Sequence, residues 1–290
     1  MVSVVKRKKA KSHYYYMIHN TGKQQYEVYL GKKIPKDIKE RKREFLLSIY
    51  RKRWLHDLET IKDGYARVPK SVKLEGIAEF AYYFTHDTQK IEGSRLTKQE
   101  TYNLLRFQLT PSAKPKSDMI EAEKHFHVFT QMARKPLSIS PRTVLQWHKT
   151  IFEKTKDDVA GKLREYNVFV TGSKSQFPHW RFVRSFVDDF FKWYKKSEKK
   201  IHPVELAGMA HFRFVNIHPF GDGNGRISRL LMNYILIKNE YPPLNIRYAE
   251  RHHYYKALED GNLKNDEVYF LKWFMKRYLS EFKKHYKNKA

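Results

Sequence analysis

Five residues able to act on a phosphate fall within twelve positions. The run is His218-Pro219-Phe220-Gly221-Asp222-Gly223-Asn224-Gly225-Arg226-Ile227-Ser228-Arg229. Its glycines permit positive φ and let backbone N–H groups turn into one concavity. A helix starting near Gly225-Arg226 adds free N-terminal N–H groups, a natural anion site. Arg226 and Arg229 are three apart, so they lie on neighbouring parts of one helix face. Two guanidinium groups beside a helix N-terminus make a polyphosphate cradle. A carboxylate among so many positive groups is explained if Asp222 holds Mg²⁺, which bridges phosphate oxygens. His218, at the loop entrance, can be the base for an incoming hydroxyl. Asn224 can donate to a phosphate oxygen as charge develops there. Singly, each feature has an ordinary reading: a turn, a structural histidine, a solvated arginine face, an aspartate cap. Their occurrence together points to chemistry.

His202 and His211 lie near His218 in sequence, but no compact ligand motif such as His-Glu-x-x-His links them. They read as structural.

The elements around the run are mainly helical. Val204 to Ile217 carries an apolar face with Ala207, Ala210, Phe214 and Ile217, and Pro219 limits its continuation. Arg226 to Lys238, Phe186 to Lys195, Met119 to Arg134 and Val268 to Phe282 also show helical periodicity. Thr97-Lys98-Gln99-Glu100 has the form of a capping box, and Ser140-Pro141 opens a further helix. Thr88-Gln89-Lys90-Ile91-Glu92-Gly93 reads as a helix end, with Gly93 as the terminating glycine. A glutamate there faces the negative end of the helix dipole, which a cationic partner would relieve. Ile38 to Ile61 reads as a highly charged helix broken by Gly64 and Pro69.

Two hairpins are expected. One pairs Tyr14 to His19 with Gln25 to Leu30 around an Asn20-Thr21-Gly22-Lys23 turn. The other pairs Val168-Phe169-Val170 with Trp180 to Val183.

Composition bounds the rest. The 290 residues contain 20 Tyr, 19 Phe and no Cys, which excludes disulfides, thiolate zinc sites and a cysteine nucleophile. The net charge of +27 favours anionic partners, and a lysine-rich solvated surface explains part of it. Charge early in the N-terminus argues against a secretory signal, and no apolar run reaches membrane length. A cytoplasmic protein without a membrane contact is the expectation.

The twelve-residue run resembles the Fic-family signature, His-x-Phe-x-(Asp/Glu)-Gly-Asn-Gly-Arg-x-x-Arg, at every defined position. The likeness extends over Gly76 to Phe282. It takes in Gly161-Lys162-Leu163-Arg164, His202-Pro203-Val204-Glu205-Leu206-Ala207, Tyr241-Pro242-Pro243 and Tyr254-Tyr255-Lys256-Ala257-Leu258. Thr88 to Gly93 resembles the inhibitory motif (Ser/Thr)-x-x-x-Glu-(Gly/Asn) of members whose inhibitory helix precedes the core.

The resemblance implies a mainly α fold: a Fic-type helical core with a small β-hairpin flap, plus an N-terminal β-hairpin appendage. Residues 1–36 would be the basic Tyr-rich hairpin, 37–71 a charged helical linker, and 72–290 the core, with its inhibitory helix ending near 92. The implied activity is AMP transfer from ATP to a Ser, Thr or Tyr hydroxyl of a target protein. His218 would deprotonate the hydroxyl, and Asp222 would bind Mg²⁺. Gly223, Asn224, Gly225, Arg226 and Arg229 would hold phosphates. Glu92, with Thr88 and Gly93, would restrain Arg229, and Thr171, Gly172 and Ser173 of the flap would meet the target. Self-modification and a homodimer are compatible with this. The alternatives are AMP removal from a modified protein, or a nucleic-acid-binding regulator carrying a Fic core. The basic, Tyr-rich N-terminus keeps nucleic acid among the partners.

Overall fold

The computed structural model describes residues 2–9, 11–22, 24–135, 138–170 and 172–287. The chain forms two compact units, Met1–Thr60 and Ile61–Ala290.

The first unit holds one antiparallel sheet, ordered β1 (Ser3–Lys9), β2 (Ser12–Asn20), β3 (Gln25–Gly31). The expected hairpin is β2–β3, turning where Thr21 N donates to Gln24 O at 3.0 Å. Lys23 of that turn lies outside the described residues. Strand β1 is an addition to the sequence reading, in which Lys6 to Lys11 is a charge cluster. Val2 and Val4 anchor it, packing with Met17 and with Phe45 and Ile49 of helix α1 (Ile38–Ala66). The basic residues then follow as the exposed end of a strand.

Helix α1 runs through Gly64, where the sequence reading breaks it. The missing side chain makes room for Tyr286: a Cβ at Gly64 would lie 2.8 Å from that residue's Cβ. A close approach, not a turn, explains this glycine.

Within the second unit the helices are α2 (Lys70–Ile91), α3 (Lys98–Phe107), α4 (Lys116–Arg134), α5 (Pro141–Phe152), α6 (Val183–Ser197), α7 (Pro203–Ile217), α8 (Asn224–Lys238), α9 (Arg251–Leu263) and α10 (Val268–Lys287). The capping box forms: Glu100 N donates to Thr97 Oγ1 at 3.2 Å, and Thr97 N to Glu100 Oε2 at 2.8 Å. Ser140 Oγ accepts from Thr143 N at 3.2 Å, and Pro141 fills the first helical turn. Helices α7 and α8 are the centre. Ala207, Ala210, Ile227, Leu230, Leu231 and Ile235 are wholly buried. Helix α2 packs on α4 through Phe84 and Phe129, with ring centroids 5.0 Å apart. The two central helices meet end to start across the loop 218–223, so the fully buried centre of the core carries the glycine-rich run.

The flap departs from the expected hairpin. Among the described residues between 165 and 182 there is no strand. Trp180–Phe182 is a 3₁₀ turn leading into α6, and Pro178 has no N–H to offer a ladder. Side chains of α9 take the place of a partner strand. Lys174 N donates to Glu259 Oε1 at 2.8 Å and Gln176 N to Asn262 Oδ1 at 3.1 Å, while Asn262 Nδ2 donates back to Gln176 O at 3.1 Å. Thr171 lies outside the described residues; Gly172, at φ +78, and Ser173 form the turn, Ser173 N donating to Val170 O at 3.1 Å.

Candidate active site

Helix α7 ends at His218, which takes the left-handed conformation (φ +51) and donates its N–H to Phe214 O at 3.2 Å. Its ring Nδ1 lies 3.1 Å from Val215 O. A carbonyl only accepts, so Nδ1 carries the proton. Burial pushes the imidazole down to about 4, so the ring is neutral at pH 7 and Nε2 keeps its lone pair. Phe177 of the flap packs against this ring at 4.1 Å.

The loop after His218 is held from several sides. Arg164 donates its N–H to Pro219 O (2.9 Å) and its Nε to His218 O (2.7 Å). The same guanidinium reaches Tyr166 O and Pro178 O, at 2.8 and 2.6 Å. Phe220 is fully buried and stacks on His148 with centroids 3.8 Å apart. His148 Nδ1 accepts from Gly161 N at 2.9 Å, so Nε2–H donates to Asp222 O at 3.0 Å. That tautomer requires a neutral ring, and burial pushes the His148 imidazole down to about 4. Gly223, at φ +76, approaches Phe152 too closely for any side chain.

Asn224 closes the loop with both ends of its amide: Phe220 N donates to Oδ1 and Nδ2 donates to Phe220 O, each at 2.9 Å. What Asn224 offers a ligand is therefore its backbone N–H. Asn224, Gly225 and Arg226 begin α8, and their N–H groups have no partner within the helix.

A closed ring of charges backs the loop. Arg226 pairs with buried Glu121 and with Asp222 Oδ2 at 3.1 Å, and its Nη1 donates to Gln89 Oε1 at 3.0 Å. Lys156 Nζ joins the two carboxylates, 2.8 Å from each. Burial raises the pKa of both acids, but Arg226 and Lys156 outweigh it and hold both carboxyls below their ordinary value. Removing Glu121 leaves Arg226 buried with only its shared contacts. Glu121→Ala is expected to lower the unfolding free energy by about 3–5 kcal/mol. A thermal melt checks it, with a fall on the order of 10 °C.

Arg229 is fully buried. It donates to Thr88 Oγ1, Thr88 O and Tyr254 OH, each at 3.2 Å, and to Glu92 Oε1 at 2.6 Å. Glu92 follows the last residue of α2, and Gly93 after it has φ +96. The Glu92 carboxylate also lies against Gly225, where any Cβ would strike it. It therefore sits at the N-terminus of α8, between those free N–H groups and Arg229. Glu92, His218, Gly225, Arg229, Phe177 and Ser173 share the wall of one cavity of about 600 Å³.

The sequence-derived residues thus divide. His218, Gly225, Arg229, Glu92, Gly172 and Ser173 line the cavity; Asp222 and Arg226 meet in the charge ring beside it. His211 turns away, its Nε2 3.1 Å from Tyr254 OH, and His202 Nε2 lies 2.9 Å from Tyr241 OH. Sequence reasoning missed Glu121, His148, Lys156 and Tyr254 as contributors. Only burial and long-range pairing mark them, because each lies at least 25 residues from its partner in the site.

The Fic/DOC family profile matches residues 138–236, which include the whole run. A curated protein adenylyltransferase Fic of Nematostella vectensis is 31% identical over 190 residues, covering 62% of this chain and 43% of that protein. The chain spans under half the length of the curated relatives it matches. Among solved structures, Fic-1 residues 134–508 from C. elegans superposes with a TM-score of 0.72 at 25% identity, covering 86% of this chain and 75% of that one. A Fic-domain-containing signaling protein from Bacteroides thetaiotaomicron gives 0.71 at 22% identity, covering 81% and 98%. The helical architecture is that of the Fic proteins, and no described helix is long and apolar enough to cross a membrane. By motif, profile and fold together, the chain carries a Fic/DOC family domain.

Proposed function

We propose that this chain is a protein adenylyltransferase held at rest by its own Glu92. The relatives named adenylyltransferases support the reaction class. The observation that carries the reading is the Glu92 carboxylate lodged between Arg229 and the start of α8, in the cavity that His218 lines.

The chemistry follows from the groups present. ATP phosphates take the N–H groups of Asn224, Gly225 and Arg226 and, once Glu92 leaves, the Arg229 guanidinium. A target hydroxyl enters beside the flap. Its oxygen forms a bond to the α-phosphorus, the bond from that phosphorus to pyrophosphate breaks, and the hydroxyl proton passes to His218 Nε2. Positioning and preorganised charge supply the rate. Lys174 and Gln176, with backbone N–H groups tied to α9, keep the flap in place for that entry.

Asp222 fits a magnesium site of the kind built from one carboxylate, substrate phosphates and water. Its carboxyl stays ionised and its side chain is 42% exposed. Among the described residues no cluster of three His, Asp or Glu competes for the ion. Bound there, magnesium would neutralise charge on the phosphates.

The state of His218 gives a pH test. With its imidazole near 4 instead of 6.5, the base form persists well into acid. Transfer should stay level from neutral pH down to about 5 and fall as pH nears 4, whereas an ordinary imidazole would halve the rate near 6.5. A half-loss at 6.5 in short assays would count against a buried base. Stability moves in the same direction. The unfolded chain takes up this proton between 6.5 and about 4 while the folded chain does not, so the contribution is complete above 6.5 and lost as pH falls toward 4.

The deciding experiment incubates the protein with α-labelled ATP, Mg²⁺ and cognate lysate. Label on protein with Glu92→Gly and none with the double variant Glu92→Gly, His218→Asn supports the proposal. Absence of label in both variants and in the wild type sinks it.

A further inference from the structure

Residues 1–36 carry nine Lys and Arg against one acid, Glu27, while the remaining 254 carry 49 against 30. Net positive charge per residue is about threefold denser in the strand segment, so general lysine richness does not account for it. Nor is this charge neutralised from within. Arg7 grips Glu27 through two hydrogen bonds of 2.8 and 2.7 Å, which occupies the one acid. Lys6, Lys8, Lys9 and Lys11 are exposed and make no ion pair among the described residues, and the same holds for Lys32 and Lys33 past β3.

The sheet adds aromatic rings to this charge. Pairing sets Tyr16 opposite both Val5 and Tyr29, and Tyr14 opposite Arg7. Alternation along each strand puts these residues on the face turned away from Val4, Met17 and Tyr26, which pack with α1. On that face Tyr29 lies 5.3 Å from Tyr16 and 6.1 Å from Tyr14. The Arg7 guanidinium sits 4.7 Å from the Tyr16 centroid. Tyr29 remains 52% exposed.

We propose that this face of the N-terminal sheet binds single-stranded nucleic acid. Unpaired bases stack on Tyr29 and Tyr14, while Lys9, which shares their face, Lys11 in the turn after β1, and Lys32 and Lys33 beyond β3 meet the phosphates. The rings select among polyanions. A duplex keeps its bases stacked inside and a bilayer headgroup has no π face, whereas each unpaired base offers one. The proposal stands apart from the adenylyltransferase reading, since none of these residues lines the candidate active site.

The test is fluorescence anisotropy on the full chain with a labelled oligo-dT of about 12 nucleotides, set against a duplex of the same length. Single strand should bind tighter than duplex, with log affinity against log salt falling at a slope of about −3 for four lysine contacts. Tyr29→Ala should weaken binding about tenfold, while Tyr29→Phe, which keeps the ring, should hold it. Lys9→Glu with Lys33→Glu changes no residue packed against α1 and should abolish binding, so a loss in Tyr29→Ala from misfolding alone would be exposed. Label transfer by the Glu92→Gly core should not change in any of these variants. The proposal is overturned by no binding at about 50 mM salt, by equal affinity for duplex with Tyr29→Ala unaltered, or by phosphatidylserine vesicles outcompeting the oligonucleotide.

Discussion

Glu92→Gly is expected to raise AMP incorporation on the order of 5- to 150-fold, the span of a coupling free energy of about 1–3 kcal/mol. The reason lies in what the carboxylate displaces. A helix N-terminus and a buried guanidinium make an anion seat, and Glu92 Oε1 fills it at 2.6 Å from Arg229. A phosphate must compete with a carboxylate tethered to the same chain, whose effective concentration is on the order of millimolar or higher. Removing the carboxylate empties the seat without dismantling it. Thr88 and Tyr254 still accept from Arg229, so the guanidinium keeps its place. Loss of one partner from a wholly buried pair would cost about 3–5 kcal/mol, and those remaining acceptors together with the 24% exposure of Glu92 put the cost below that. A thermal melt separates the two effects. Glu92→Gln keeps the shape and a hydrogen bond to Arg229 but loses the charge, so its activity should fall between wild type and Glu92→Gly. Unchanged incorporation in a folded Glu92→Gly protein would end the autoinhibition proposal.

What could be read in the sequence was whatever is local. The capping box at Thr97 and the cap at Ser140 each complete their logic within a few residues, and the structure shows the same groups paired; the His218 to Arg229 run is likewise a local pattern. The backing of the site is different. Glu121 meets Arg226 across 105 positions and His148 meets Asp222 across 74, so no spacing pattern contains them. Even inside the run, pattern misassigned detail. Asn224 has the donor a phosphate needs, yet its amide spends both ends on Phe220. The flap was misread because Val168 to Val170 has strand composition, while its pairing partner is a row of side chains on α9. Strand β1 was hidden for the opposite reason, Lys6 to Lys11 reading only as a basic cluster although Val2 and Val4 hold the segment in the sheet. Composition reports what a segment prefers; the partner it meets decides which element it becomes.

Replacing His218 should cost the Glu92→Gly enzyme about 10²- to 10⁴-fold in transfer rate, the usual worth of a positioned general base. The choice of replacement matters. His218 sits at φ +51, where alanine is strained, whereas asparagine tolerates the left-handed region. His218→Asn therefore keeps the turn and removes the basic nitrogen. Nδ1 is committed to Val215 O, so Nε2 is the ring atom free to take a proton, while His211 is bound to Tyr254 and His148 to the loop. The phosphate seat is made by different groups, Arg229 and the start of α8, so ATP affinity should stay within a few-fold in equilibrium binding. A His218→Asn protein that binds ATP normally and transfers nothing isolates the proton step. One that retains full transfer would show that the target hydroxyl loses its proton elsewhere, and the mechanism proposed above would fail at its first step.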